Sequence, residues 1–338
     1  MYRNIFKYDE MKRGEHMAVR ETVGWYFFTH QLMEVTGEDA EAFLDYIFPN
    51  NIATLKPGRD RYTTMLDESG EIIDDVVIMR FDEHFWVSTL FPSYMDDWFY
   101  AHQGDYDVDY YEVTDDWHMF SVQGPRSRDV LNALCENPVD ELRFFQHAEN
   151  AIDGMDVIIN RGGFTGEKLG YEIYCNEGDA DDVEEKIRAC AEQFGGRQVT
   201  EFQVMAWTLP TEAGFYYMRD LRHTNPLEVG LDANINWDKD FVGKKALEKV
   251  RAAGPAREML GFTVAEDDVF IQAKQYGGPG EAVYVDGEEV GRVSKMVYSY
   301  VKDINTGYIL AKKGVLNVGD HVNIHGFDAV ICEKNWLG

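Results

Sequence analysis

The stretch ESGEIIDDVVIMRF, Glu68 to Phe81, sets a hard condition on any fold this chain adopts. Asp67-Glu68-Ser69-Gly70 is turn chemistry, and the residues after it are apolar or β-branched over a strand's length. Asp is depleted in strands because its side chain competes for local backbone hydrogen bonds, yet Asp74 and Asp75 stand together at the mouth of the run. Successive strand residues point to opposite faces, so one of the two carboxylates turns toward the less solvated side. There it needs a donor, a cation or a proton. The alternative is a strand that starts one residue later, which would leave both acids in a wet loop.

The rest of the chain is segmental in the same way. TGEDAEAFLDYIF carries Phe43 and Ile47 at helical spacing, and HFWVSTL follows the Tyr62 to Phe81 strand pair as a third strand. WHMFSVQGPRSRDVLNALCE changes period at Gly124-Pro125, from strand to a helix face of Val130, Leu131 and Leu134. MDVIINRGGFTGEKLGYEIYC reads as two strands around a glycine-rich turn, and DDVEEKIRACAEQF as an amphipathic helix. Strands and helices interleave without βαβ regularity, which predicts an α+β protein. At VRAAGPAREM, residues 250 to 259, the composition shifts and the text becomes β-like, with an Asp286-Gly287 turn suited to a hairpin. The expected organisation is therefore a region 1–250 and a small all-β domain over 257–338.

Composition excludes several functions. The net charge is −29, from 61 acidic and 32 basic residues, and such a field repels nucleic acid and anionic membranes. No apolar run could span a bilayer, and the opening lacks the apolar centre of a signal peptide, so the cytoplasm is expected. The cysteines, Cys135, Cys175, Cys190 and Cys332, are widely spaced and read as reduced thiols. His321 and His325 lie on strand and turn text where an x3 spacing does not converge, so no metal is expected.

Two segments could carry chemistry. RGGFTGEKLG lacks the Lys-Ser/Thr ending and the following helix of a phosphate loop. In the strand after it Glu172 shares a face with Tyr174, and a carboxylate there can accept paired hydrogen bonds, as from an amino-pyrimidine edge. A solvated edge-strand glutamate is the other reading. In EAGFYYMRDLRH, Arg219, Arg222 and His223 gather beside Tyr216 and Tyr217, either to hold a flat anionic ligand or as an ion-pair cluster. No nucleophile elbow appears.

Taken in order, LDESGEIIDDVVIMRF, SVQGPRSRDVL, RGGFTGEKLGYEIY and TNPLEVGLDANINWDKDFVGKKAL resemble the folate-dependent aminomethyltransferase family, the T-protein of glycine cleavage and its demethylase relatives. The resemblance runs from about His16 to Val250, with a weaker match through the β-rich end. It implies a three-domain ring around a tetrahydrofolate channel, with a small C-terminal β-barrel. It also implies Asp74 as the working aspartate facing the channel, with Asp75 pointing away. Glu172 falls on the family's pterin-holding glutamate, and Gln123, Tyr62, Phe164 and Tyr217 on the cofactor's side of the site.

The sequence also departs from that pattern. MAWTLPTEAG lacks both arginines of the family's Ala-Arg-Asp-x-x-Arg-Leu-Glu-Ala-Gly stretch, with Pro210 at the second, and FYYMRDLRH replaces the block that follows. Donor-side residues have changed while the pterin side survives. The leading expectation is a tetrahydrofolate-dependent one-carbon transferase that takes an O-, S- or N-methyl group from a small methylated donor, a demethylase. The alternatives are the aminomethyltransferase of glycine cleavage and a folate-binding protein without catalysis. A lipoyl carrier protein, acidic in this family, is not the expected partner of so acidic a chain.

Overall fold

The computed structural model describes residues 2–3, 6–28, 31–163 and 165–337. Two antiparallel-based sheets and a closed barrel organise it, with helices on the outer face of each sheet. The first sheet runs in the order Arg59–Leu66, Ile72–Arg80, Phe85–Thr89, Gln31–Thr36, Asp109–Glu112. In the second, Arg197–Gln198 is followed by Gly24–Phe27, Trp117–Gln123, Gly170–Asn176, Met155–Asn160 and His147–Ile152. Six strands between Arg257 and Cys332 close the barrel. This is the mixed α+β architecture that the segmental pattern predicts, with the C-terminal barrel that the resemblance implies. No helix among the described residues is long and apolar enough to cross a membrane.

The alternation of apolar residues decides which face each sheet buries. Val76 and Ile78 point with Met65 and Val87 toward the helices Ala40–Ile47 and Pro92–His102, where Phe43, Leu44, Met95 and Phe99 complete one core. Val122, Tyr171, Ile173 and Cys175 do the same on the second sheet, against Val130, Leu131, Val183 and Ile187. The opposite faces of the two sheets meet each other through Leu32, Met79 and Trp86 on one side and Met119, Ile158 and Tyr174 on the other. Burying a large side chain here contributes roughly 1.5–3 kcal/mol.

Local chemistry explains the turns. Asp67 accepts hydrogen bonds from the backbone N–H groups of Ser69 and Glu71, and Gly70 takes φ +82°, so the chain reverses into the strand Ile72–Arg80. That strand starts at Ile72, so Asp74 and Asp75 both lie inside it and the wet-loop alternative fails. Asp286 and Gly287 both have positive φ, 50° and 84°, as a two-residue hairpin turn requires between Ala282–Val285 and Glu288–Ser299.

What joins barrel to sheets is a buried acid. Glu212, in the short helix Leu209–Glu212, accepts from Ser299 Oγ at 2.5 Å and from the Val301 N–H at 3.2 Å on the barrel side. Its other oxygen lies 2.8 Å from His16 Nε2 and 3.0 Å from Arg20 Nη2, both on the helix Glu10–Glu21. Arg20 continues to the Thr165 carbonyl at 2.7 Å and to Glu167 at 2.6 Å, so the glycine-rich turn joins the same knot.

Burial alone would raise the Glu212 pKa, but His16, Arg20 and Ser299 bring it down to about 2. A folded-state pKa below the unfolded value contributes stability that is complete above the unfolded pKa and lost as pH falls through the folded one. Glu212→Gln should therefore destabilise the protein by roughly 3–5 kcal/mol at pH 7 in urea unfolding. The deficit should shrink as the pH is lowered from 4.5 toward 2.

Candidate functional site

The two sheets do not pack apolar to apolar along their whole length. Antiparallel register puts Tyr62 opposite Val77 and Thr64 opposite Asp75, so Asp60, Tyr62, Asp75, Val77 and Met79 share the inward face of the first sheet. On the second sheet Asn160 and Ser121 lie opposite Glu172, and Ile158 and Met119 opposite Tyr174, so these six side chains face back. One part of the interface is the apolar and aromatic cluster around Trp86 and Tyr174. The other is polar, and it holds Asp60, Tyr62, Asp75, Asn160 and Glu172.

Parity assigns the two aspartates opposite environments, and it is Asp75, not Asp74, that shares the face turned toward the second sheet. Asp75 shares its face with Tyr62, whose hydroxyl donates to Asp75 Oδ2 at 3.1 Å. Asp74 points the other way, on the face of Val76 and Ile78, completely buried, with Thr89 Oγ1 donating to one oxygen and the Asp75 N–H to the other at 2.9 Å. The irregularity between Met65 and Leu66 leaves Asp74 opposite Met65, whose side chain lies in the helix-covered core. Burial lifts the Asp74 pKa to about 7, with the neighbouring Asp75 charge adding to it and Thr89 opposing. Asp75 is lifted to about 6, by burial first, while the Tyr62 hydrogen bond pulls it down and Asp220 pushes it up.

Glu172 occupies an internal strand and is buried, not a solvated edge residue. Asn160 Nδ2 donates to its Oε2 at 2.9 Å, and the Tyr174 hydroxyl donates to the same oxygen at 3.3 Å. Burial raises its pKa to about 7, and the charge of Asp60 adds to the shift. Asp60 pairs through Oδ1 with His147, and its Oδ2 has no partner; neither has Asn160 Oδ1. Two orphaned acceptors beside a carboxylate form a set with acceptors in excess of donors.

Gln123 is also buried, but its amide is engaged within the protein. Its Nε2 donates to Ser121 Oγ at 3.0 Å and to the Gly162 carbonyl at 2.9 Å, while its Oε1 accepts from Thr165 at 2.8 Å. The glycine-rich turn is wound around it. A Cβ at Gly163, where φ is +140°, or at Gly170 would come within 2.2 Å of the Gln123 amide. Its observed role is to hold that turn in place, and a hydrogen bond to a ligand would have to displace one of these contacts. Phe164 lies outside the described residues.

Several participants carried no sequence signal. Lys295, on the barrel strand Glu288–Ser299, is completely buried and pairs with Asp220 at 2.7 Å, beneath the Tyr308 ring. Asp220 also accepts from Ser294 Oγ at 3.2 Å and from the Tyr217 N–H at 3.0 Å. Burial lowers the Lys295 pKa and Asp220 opposes this, and the field of Lys295 in turn lowers that of Asp75. The barrel thus contributes a cation to the aspartate side of the site. Tyr217 caps the helix Met218–Leu221 and stands beside Tyr276, and Arg222 lies between the rings of Phe91 and Tyr276, 5.2 and 5.5 Å from their centres. His321 and His325 are each taken up by a carboxylate, Asp328 and Glu281. Among the described residues no group of three or more His, Cys, Asp or Glu is placed to hold a metal ion.

Comparison with known proteins supports the fold and the family. The family described as the GCVT N-terminal domain matches residues 2–239. An aminomethyltransferase of Clostridium botulinum (strain Kyoto / Type A2) is 30% identical over 319 residues, covering 92% of this chain and 84% of that protein. One from Alkaliphilus metalliredigens (strain QYMF) is 29% identical over 324 residues, with the same coverage of both. In fold, the crystal structure of the glycine cleavage system aminomethyltransferase T from Bartonella henselae superposes with a TM-score of 0.83. It is 22% identical, and the match covers 97% of this chain and 91% of that one. On its motifs and these likenesses together, the chain belongs to the folate-dependent aminomethyltransferase family of tetrahydrofolate-using one-carbon transferases.

Proposed function

We propose that this chain passes a one-carbon unit to tetrahydrofolate held between the two sheets, with Glu172 and Asn160 on the pterin edge and Asp75 beside the reacting nitrogens. The observation that carries this reading is the acceptor-rich part of the interface between the sheets around Glu172. A pterin edge presents adjacent N–H donors, and Glu172, Asn160 Oδ1 and Asp60 Oδ2 lack enough donors of their own. The group fits the residues on that ground.

Tetrahydrofolate supplies the nitrogen that takes the carbon, and the protein supplies alignment and one managed charge. Asp75 has a pKa of about 6, with Tyr62 donating to one oxygen and the Lys295–Asp220 pair nearby. A carboxyl so poised can accept a proton or steady a developing cation near neutral pH. Asp74, behind it, accepts from the Asp75 N–H and so fixes that backbone, and its own pKa is raised by burial and by the Asp75 charge.

The relatives are aminomethyltransferases, which supports an aminomethyl donor as the first reading of what brings the carbon. A second reading, a small methylated compound, is favoured by the loss of both family arginines in MAWTLPTEAG and by the −29 charge, which disfavours an acidic carrier protein. The discriminating assay supplies tetrahydrofolate with aminomethylated lipoyl carrier in one arm and a panel of methyl ethers, sulfonium compounds and methylamines in the other. Ammonia release supports the first donor, and 5-methyl-tetrahydrofolate detected by mass supports the second. If neither product forms while tetrahydrofolate still binds, the chain is a folate-binding protein without transfer.

Asp75→Asn should lower kcat by roughly 10²–10⁴-fold while folate affinity holds. Asp74→Asn should keep most turnover and gain about 1–3 kcal/mol of stability at pH 8 but none at pH 3, because a raised carboxyl pKa costs stability only above the unfolded value. A drop for Asp74→Asn as large as for Asp75→Asn would return the catalytic role to Asp74. Tetrahydrofolate binding should release protons at pH 6 to 7, since N–H donors on Glu172 favour its ionised form. Calorimetry in buffers of different ionisation enthalpy reads this directly, and Glu172→Gln should abolish the release.

A further inference from the structure

A cavity lies beside Asp220, where the barrel meets the segment after Met218–Leu221. It encloses about 490 Å³, within the range of small-ligand pockets, and Arg257, Lys274, Tyr276, Arg292, Ser294 and His223 line it. In a chain with 61 acidic residues, none of its lining residues is Asp or Glu. Arg257 is neutralised by Glu228 at 2.8 Å, and Arg292 by Glu289 at 2.9 Å. Lys274 is not: its Nζ donates to the Arg222 carbonyl, and among the described residues no carboxylate lies within 4 Å of it.

Two more cations stand behind Tyr276 and Lys274, next to the residues that line the cavity. Arg219 lies over Trp207, and Arg222 between Phe91 and Tyr276. Neither has a carboxylate within 4 Å among the described residues, and the Nε of each is buried without a hydrogen-bond partner. Burial lowers the Lys274 pKa and the charges of Arg257 and Arg219 repel its own, while Asp220 and Glu71 oppose them. An anion between the three cations would relieve that repulsion and supply the missing acceptors. The alternative fate of such residues, an ion-pair cluster, is what Arg257 and Arg292 show and what these three do not. Ser294 touches both the cavity and Asp220, and Asp220 pairs with Lys295, so the cavity borders the aspartate side of the site.

We infer that this cavity is a carboxylate-binding subsite, with Lys274, Arg219 and Arg222 as the ligands of the anion and Tyr276 as the platform for a flat group attached to it. Its existence stands apart from the proposed reaction. Only the source of the carboxylate rests on that reading: the glutamyl end of the folate, or an acid group on the one-carbon donor.

The test titrates the full chain with two probes, 4-aminobenzoyl-glutamate for the folate end and benzoate for a small aromatic donor. Each is also titrated into Lys274→Gln and into Arg222→Gln, with thermal unfolding confirming that both variants fold. At least one probe should bind the wild-type protein, weaken about tenfold in each variant, and weaken with added salt. Binding of the first probe alone assigns the subsite to the folate end, and binding of benzoate assigns it to the donor. Absence of binding by both probes to the wild-type protein, or equal affinity in all three proteins, overturns the inference. Wild-type turnover of tetrahydrofolate, measured in parallel, separates the two claims: bound probe without turnover removes the proposed reaction and leaves the subsite standing.

Discussion

The Glu212 carboxylate is the point through which the parts of this molecule hold one another. It takes hydrogen bonds from the N-terminal helix through His16 and Arg20 and from the barrel through Ser299 and Val301, and Arg20 hands the connection on to the glycine-rich turn. A buried charge with this many donors favours one arrangement of its partners, because any shift leaves an uncompensated charge out of water. The site depends on that arrangement, since it draws Asp75 from one sheet, Glu172 from the other and Lys295 from the barrel. Precision at the site is therefore set by a knot that contains none of these residues.

Around that frame the chain accumulates acids that burial penalises. Asp74, Asp75 and Glu172 are all raised toward neutrality, whereas Glu212, with two basic partners, is lowered. The contrast comes from donors: Glu212 has a full set, and the inter-sheet carboxylates have too few. A protein that leaves acceptors short in its interior gives up stability there, and such places are where a ligand completes the hydrogen bonding. The unneutralised cations at Lys274, Arg219 and Arg222 are the counterpart in the opposite sign.

Much of the local structure was legible in residue order. Strand and helix periods in WHMFSVQGPRSRDVLNALCE, the Asp286-Gly287 hairpin and the pairing of Glu172 with Tyr174 on one face follow from backbone geometry that a sequence carries directly. The choice between Asp74 and Asp75 was not legible, because period-two alternation says only that they face apart. Which one faces inward depends on the helices that cover the other side and on the irregularity opposite Ile72. Gln123 shows a similar limit: its motif was visible, but only packing shows Gly163 and Gly170 closed around its amide. Lys295 left no signal at all, since a lone lysine in β text reads as solvated until a distant Asp220 is folded against it.

By itself, then, the sequence determined the class of fold, the strand that carries the aspartate pair, the face of Glu172 and the acidic field, all of which arise from neighbours within a few residues. Tertiary structure alone decided which aspartate meets the polar part of the interface, which acceptors were left without donors, and where cations remain without counter-ions. The reason is one of range. Backbone alternation and turn chemistry are short-range and written locally, whereas desolvation and charge pairing depend on groups that come together only when sheets, turn and barrel close on one another.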